Sequence, residues 1–87
     1  MSGNPLLRDL DCSNCNLTSL DLSSNLKLEW LPCYDNNLTE LDVYVNSALN
    51  YLNVENNPNL ETVIVKSGHF FANGIYYNGI TTIEYVD

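Results

Sequence analysis

Leu7, Leu28 and Leu49 stand 21 residues apart, and each opens the same line of residues. From Leu7 the line reads L-x-x-L-x-C-x-x-C-x-L. From Leu28 it reads L-x-x-L-x-C-x-x-N-x-L, and from Leu49 it reads L-x-x-L-x-V-x-x-N, closing on Leu60. A second motif is nested halfway along. Leu17, Leu20, Leu22 and Asn25 match Leu38, Leu41, Val43 and Asn46, and then Leu60, Val63, Val65 and Gly68. The third unit is one residue longer near Pro58, where a loop absorbs the addition. A fixed period of this size constrains the fold more than any other feature. Each unit is too short to bury its own apolar edge and must stack on the next. The chain therefore reads as a single β-rich solenoid domain, 1–87, with repeats at 7–27, 28–48 and 49–70 and a C-terminal cap at 71–87. About three turns is the usual minimum for stability in such folds.

Within each unit the apolar residues alternate with period two. Leu10-x-Cys12, Leu31-x-Cys33 and Leu52-x-Val54 form one column; Leu20-x-Leu22, Leu41-x-Val43 and Val63-x-Val65 form the other. Each predicts a short strand with one buried face, parallel to its copies in neighbouring units. Asn25, Asn36, Asn46 and Asn57 follow their strands by three residues. An inward asparagine there bonds backbone groups that the turn leaves unpaired.

These residues resemble the leucine-rich-repeat signature. The unit Leu28 to Ala48 is similar to the short bacterial 21-residue subtype, L-x-x-L-x-C-x-x-N-x-L-T-x-L-D-V-S-x-N. Leu17-Thr18-Ser19-Leu20-Asp21-Leu22-Ser23 and Leu38-Thr39-Glu40-Leu41-Asp42-Val43 match its second half closely. The likeness covers residues 7 to 70 and weakens in the third unit, where Thr62, Val63 and Gly68 replace the expected Ser, Leu and Asn. The resemblance implies recognition of a protein or ligand and names no particular partner.

The tail departs from the pattern. Asn73-Gly74 and Asn78-Gly79 are turn dipeptides. Tyr76 to Thr81 fits a hairpin, whereas Ile80-x-x-Ile83-x-Tyr85 fits a degenerate further turn of the solenoid. In either case Phe70, Phe71, Ile75, Ile80, Ile83 and Tyr85 are expected to shield the last unit.

Charge narrows the partners. Three basic against 11 acidic residues give a net charge of −8. That speaks against direct nucleic-acid binding, which needs cations to displace counterions, and against anionic membrane surfaces. It favours a basic protein partner. No run approaches the ~18 apolar residues of a membrane span, and no signal peptide opens the chain. As written the protein is expected to be cytoplasmic; as a fragment of a longer chain it belongs outside the cell or at its surface.

No enzymatic, metal or cofactor function is expected. Cys12 and Cys33 share a column with Val54, so they read as small buried hydrophobes. Cys12-x-x-Cys15 has zinc-like spacing but no second pair, and the single histidine, His69, is remote in sequence. Asp9-x-Asp11-x-Ser13 opens like a calcium loop but has Asn14 where glycine is needed and Leu20 where the closing Glu belongs.

The outward side chains of the first column mark the candidate contact face. Trp30, Tyr34 and Tyr51 are expected to touch across adjacent units, flanked by Asp9, Asp11 and Glu55. Exposed clustered aromatics are hot-spot material. This predicts a non-enzymatic protein–protein interaction module. The rival expectation is an acidic inhibitor that mimics nucleic acid, with Asp9, Asp11, Asp21, Glu40 and Asp42 occupying the cationic groove of an enzyme. Edge-to-edge self-association is expected if an end unit is uncapped.

Overall fold

The computed structural model describes residues 4–87. Six strands and no helix form among them: β1 (Trp30–Pro32), β2 (Glu40–Asp42), β3 (Tyr51–Asn53), β4 (Thr62–Lys66), β5 (Ile75–Tyr76) and β6 (Thr82–Val86). The chain visits two sheets alternately. β1, β3 and β5 make the first sheet and β2, β4 and β6 the second, and every pairing is parallel. Among the described residues no helix is long and apolar enough to cross a membrane.

Register follows the sequence period. Trp30 pairs with Tyr51 and Leu31 with Leu52 in the first sheet, and Leu41 pairs with Val63 in the second. The residue added in the third unit lies in the turn from Asn57 to Leu60, which Leu60 N–H closes onto the Asn57 carbonyl at 3.0 Å. Leu22, Leu28, Leu31, Leu38, Leu41, Leu49, Leu52 and Leu60 are at most 1% exposed, so the leucine columns are the core.

The strands are short because a turn ends each one. Asn14, Asp35 and Asn56, 21 residues apart, adopt left-handed backbone with φ of 58°, 58° and 55°. Asn and Asp tolerate this conformation better than other residues with a side chain. Asp11, Asp21, Asp42 and Asn53 each accept the N–H two residues ahead at 2.9–3.0 Å, from Ser13, Ser23, Tyr44 and Glu55.

The buried asparagines tie one unit to the next, with a difference between columns. Asn36 accepts the N–H groups of Cys15 and Leu17 and donates to the carbonyls of Cys12, Cys33 and Tyr34. Asn57 repeats this with Leu38 N–H and the Cys33, Val54 and Glu55 carbonyls. Asn46 donates to the Leu22 and Asn25 carbonyls, but its Oδ1 and that of Asn25 have no partner.

Two expectations need correction. Leu10–Cys12 and Leu20–Leu22 do not form strands. Asp9 makes an isolated parallel bridge with Trp30, and the Leu10, Cys12 and Asn14 N–H groups donate to the Trp30, Pro32 and Tyr34 carbonyls. Leu10 and Leu20 are only half-buried, since apolar neighbours meet them from one side. Of the two readings of the tail, a hairpin or a degenerate further turn, the hairpin does not form. β5 and β6 lie in different sheets, each parallel to the strand before it, so the chain continues its alternation through Val86. Of the six residues expected to shield the last unit, Phe71 is buried and Ile75 and Ile83 pack on the core. Phe70 and Ile80 lie outside the strands and are exposed, and Tyr85 is exposed on β6 although it pairs in register with the buried Val65.

Candidate aromatic contact face

The outer face of the first sheet carries the largest exposed ring system. Trp30 and Tyr51, register partners on β1 and β3, stack with centroids 4.3 Å apart and planes at 18°. Tyr76 on β5 extends the row, 5.8 Å from Tyr51 and tilted by 49°. Offset and tilted aromatic pairs add about 0.5–1.5 kcal/mol each beyond their buried area. The Tyr51 hydroxyl accepts Asn53 Nδ2 at 3.2 Å, which holds the central ring upright.

Tyr76 reaches this row by an indirect route. Its register partner is Asn53, not Tyr51. Its ring leans back over Gly74, where an added Cβ would meet the ring at 3.0 Å. Gly74 also has φ of 97°, a conformation open to glycine and strained for a side chain. The row therefore depends on one residue that no ring-to-ring spacing in the sequence would reveal. The Asn73-Gly74 turn signal was legible, but not its consequence for Tyr76.

The sequence-predicted residues divide. Trp30 and Tyr51 come together as expected. Tyr34 is exposed but makes no ring contact. It stands four residues beyond Trp30, which at about 3.3 Å per residue places it roughly 13 Å along the strand direction. Asp9 pairs in register with Trp30 on the side away from Tyr51, so the row runs Asp9, Trp30, Tyr51. The Asp11 carboxylate is turned onto the Ser13 amide. Glu55 is exposed at the far end of β3, beside Asp35, whose N–H reaches the Glu55 carbonyl. Arg8 and Glu29 make an exposed ion pair of 3.7 Å next to Asp9, a contact worth little on its own.

Other chemistry-bearing groups are absorbed by the fold. His69 Nε2 lies 2.7 Å from the Leu49 carbonyl, and its ring stacks on Phe71 at 4.2 Å. Among the described residues no group of three or more His, Cys, Asp or Glu side chains is arranged to hold a metal. Cys12 and Cys33 are buried and Cys15 is exposed. The Cys12 sulfur beside it, and then burial, push the Cys33 thiol far up from its ordinary range. Burial shuts the Cys12 and Cys33 sulfurs off from reagent, so the native protein is expected to take up a single iodoacetamide label, at Cys15, and three labels in urea. Intact-mass spectrometry reads both numbers; rapid native labelling of Cys33 would contradict its burial.

No protein-family model matches the chain, and neither a curated protein nor a solved structure matches it.

Proposed function

We propose that this chain is a leucine-rich-repeat solenoid that acts as a non-enzymatic protein-binding module. Its contact face is the outer surface of the first sheet, centred on Trp30, Tyr51 and Tyr76. The observation that carries the reading is the stacked row itself. Trp30 remains 41% exposed and Tyr76 47% exposed, although both are large rings held in place by neighbours. A pre-ordered aromatic anchor loses little freedom on binding, which is why such residues dominate interface energetics. Because the ring faces are largely turned on each other, the row offers ring edges and the Asp9 side of Trp30. That suits contact with side chains of a protein better than the flat stacking of a planar ligand. A basic partner is favoured by Asp9 beside Trp30 and by the net charge of −8.

The mimicry of nucleic acid has weaker support. Asp9 and Asp11 flank the first sheet, while Glu40 and Asp42 belong to the second sheet and Asp21 lies beside it. They do not line one continuous track. Asp21 and Asp42 are also engaged by the amides of Ser23 and Tyr44.

Trp30→Ala is expected to weaken retention of a bound partner by about thirtyfold, the scale of a hot-spot residue. Its own stability loss should stay near 1 kcal/mol, the scale of one aromatic pair. Affinity capture at low and high salt, with Tyr34→Ala as the control off the row, reads the difference. Retention that survives salt but not Trp30→Ala supports the aromatic face. Retention of a nucleic-acid-handling protein that survives Trp30→Ala but not salt would favour the mimic. Recovery of only further copies of this chain would replace both with self-association.

A further inference from the structure

Two buried thiols meet at the boundary between the first and second units, and the aromatic row does not use them. Asp9 bridges Trp30, and the Cys12 N–H donates to the Pro32 carbonyl at 3.1 Å. Three residues beyond that bridge on each segment, Cys12 stands opposite Cys33. Both side chains belong to the core, at 8% and 0% exposure. Neighbouring strands lie about 4.8 Å apart, and residues joined by a disulfide have Cα atoms about 4.4–6.8 Å apart. The next member of the column is Val54, so Cys33 meets a sulfur on one side only. Cys15 stands outside this pair. Its thiol is exposed and donates to the Ser13 carbonyl at 3.3 Å.

The pair is polarised. Cys33 gives its S–H to Cys12, which holds the Cys12 thiol below its ordinary range and Cys33 above its own. Cys12 is therefore the first of the two to become thiolate, the nucleophilic form. It is also the one that keeps some exposure. Hydrogen peroxide is hardly larger than water and passes an opening that excludes iodoacetamide. The surroundings of Cys12 also yield. Leu10, Leu17 and Leu20 are only half-buried, and their unit makes a bridge where later units make strands. It can tilt by the ~1 Å that brings the two Cβ atoms to about 3.8 Å.

We propose that Cys12 and Cys33 are an oxidation site, where hydrogen peroxide forms a disulfide that joins the first unit to the second. The Cys12 thiolate attacks one peroxide oxygen, the O–O bond breaks, and the departing hydroxide takes up a proton to become water. The Cys33 sulfur then attacks the Cys12 sulfenic acid. The S–S bond forms, and the hydroxyl leaves with the Cys33 proton as a second water. Two thiols thus lose two electrons and two protons, and the peroxide is reduced. The link spans 21 residues, a loop long enough to restrain the unfolded chain appreciably. It holds whether or not the aromatic face binds a partner.

The test treats the native protein with excess hydrogen peroxide, removes it, and counts iodoacetamide labels in urea. Three labels are expected before oxidation and one after, at Cys15, with dithiothreitol restoring all three. Peptide mapping should recover Cys12 joined to Cys33. Cys15→Ser removes the exposed competitor, and its labels should fall from two to none. Cys33→Val copies Val54 in the same column, so it should fold, and dimedone should then trap a sulfenic acid at Cys12. In the oxidised protein, exchange of the Leu10, Cys12 and Asn14 amides, which donate across the unit boundary, should slow by about a hundredfold. Retention of three labels would overturn the proposal, as would links confined to Cys15, whether to Cys12 or to a second copy. Unchanged exchange in the linked protein would overturn the joining of the two units.

Discussion

Asn36→Ala is expected to destabilise the protein by about 4 kcal/mol, a large share of the total for a chain this size. Asn36 is 3% exposed, and its amide serves two adjacent units. Its Oδ1 accepts Cys15 N–H at 3.0 Å and Leu17 N–H at 2.9 Å. Its Nδ2 donates to Cys12 and Cys33 carbonyls at 3.0 Å and to Tyr34 at 3.2 Å. An amide nitrogen has two hydrogens, so one of these three contacts is shared. A typical hydrogen bond contributes only about 1 kcal/mol net, but a buried group left without a partner costs about 1–3 kcal/mol. Alanine leaves the Cys12 carbonyl and the Cys15 and Leu17 amides without this partner together, while the Cys33 carbonyl keeps Asn57 Nδ2 and the Tyr34 carbonyl keeps the Asn14 N–H, and the sum still exceeds the loss of any one bond. Asn46→Ala provides the internal comparison. Asn46 donates to two carbonyls, at 3.1 and 2.8 Å, and its Oδ1 has no partner to lose. About half the loss is expected there. Urea unfolding followed by the fluorescence of Trp30 measures both, and amide exchange at Cys15 and Leu17 should accelerate in the Asn36 variant. Equal losses at the two positions would show that the bonds accepted by Asn36 add nothing.

Leu52→Ala should cost about 3–4 kcal/mol through lost burial and the cavity left behind. Leu52 is fully buried in β3, the middle strand of its sheet, between Leu31 and Ile75 in register. Neighbours on both sides are held by backbone pairing, so the site has little freedom to collapse. Leu20→Ala, at a half-buried position outside any strand, should cost about 1 kcal/mol on the same physical scale. The gradient from middle to end is the content of the prediction. Similar losses at both positions would mean that the first unit is as well packed as the third.

Much of this was legible before any coordinates. The 21-residue spacing of Leu7, Leu28 and Leu49, with its nested half-step, led to parallel short strands because residues that recur at one spacing meet at one register. Period-two alternation separated buried Leu31 and Cys33 from outward Trp30 and Pro32. The same register placed Trp30 against Tyr51. The inward asparagines followed from the need to pair backbone groups at turns, and Asn36 and Asn57 meet it in full.

What lay beyond the sequence involves distance and direction. Tyr34 shares a face with Trp30 but not a row, since position along a strand separates side chains that alternation groups together. Tyr76 joins the row because positive φ at Gly74 and the missing Cβ let its ring fold back toward Tyr51. Asn36 and Asn46 look equivalent in the repeat, yet only one finds donors for its oxygen, because amide positions across the unit boundary differ between the two columns. Local pattern alone thus determined which residues of this protein face inward and at what period, because burial and backbone pairing act at every unit alike. Only the tertiary structure decided which outward residues meet, because those contacts depend on register shifts and backbone handedness, which differ from one strand to the next.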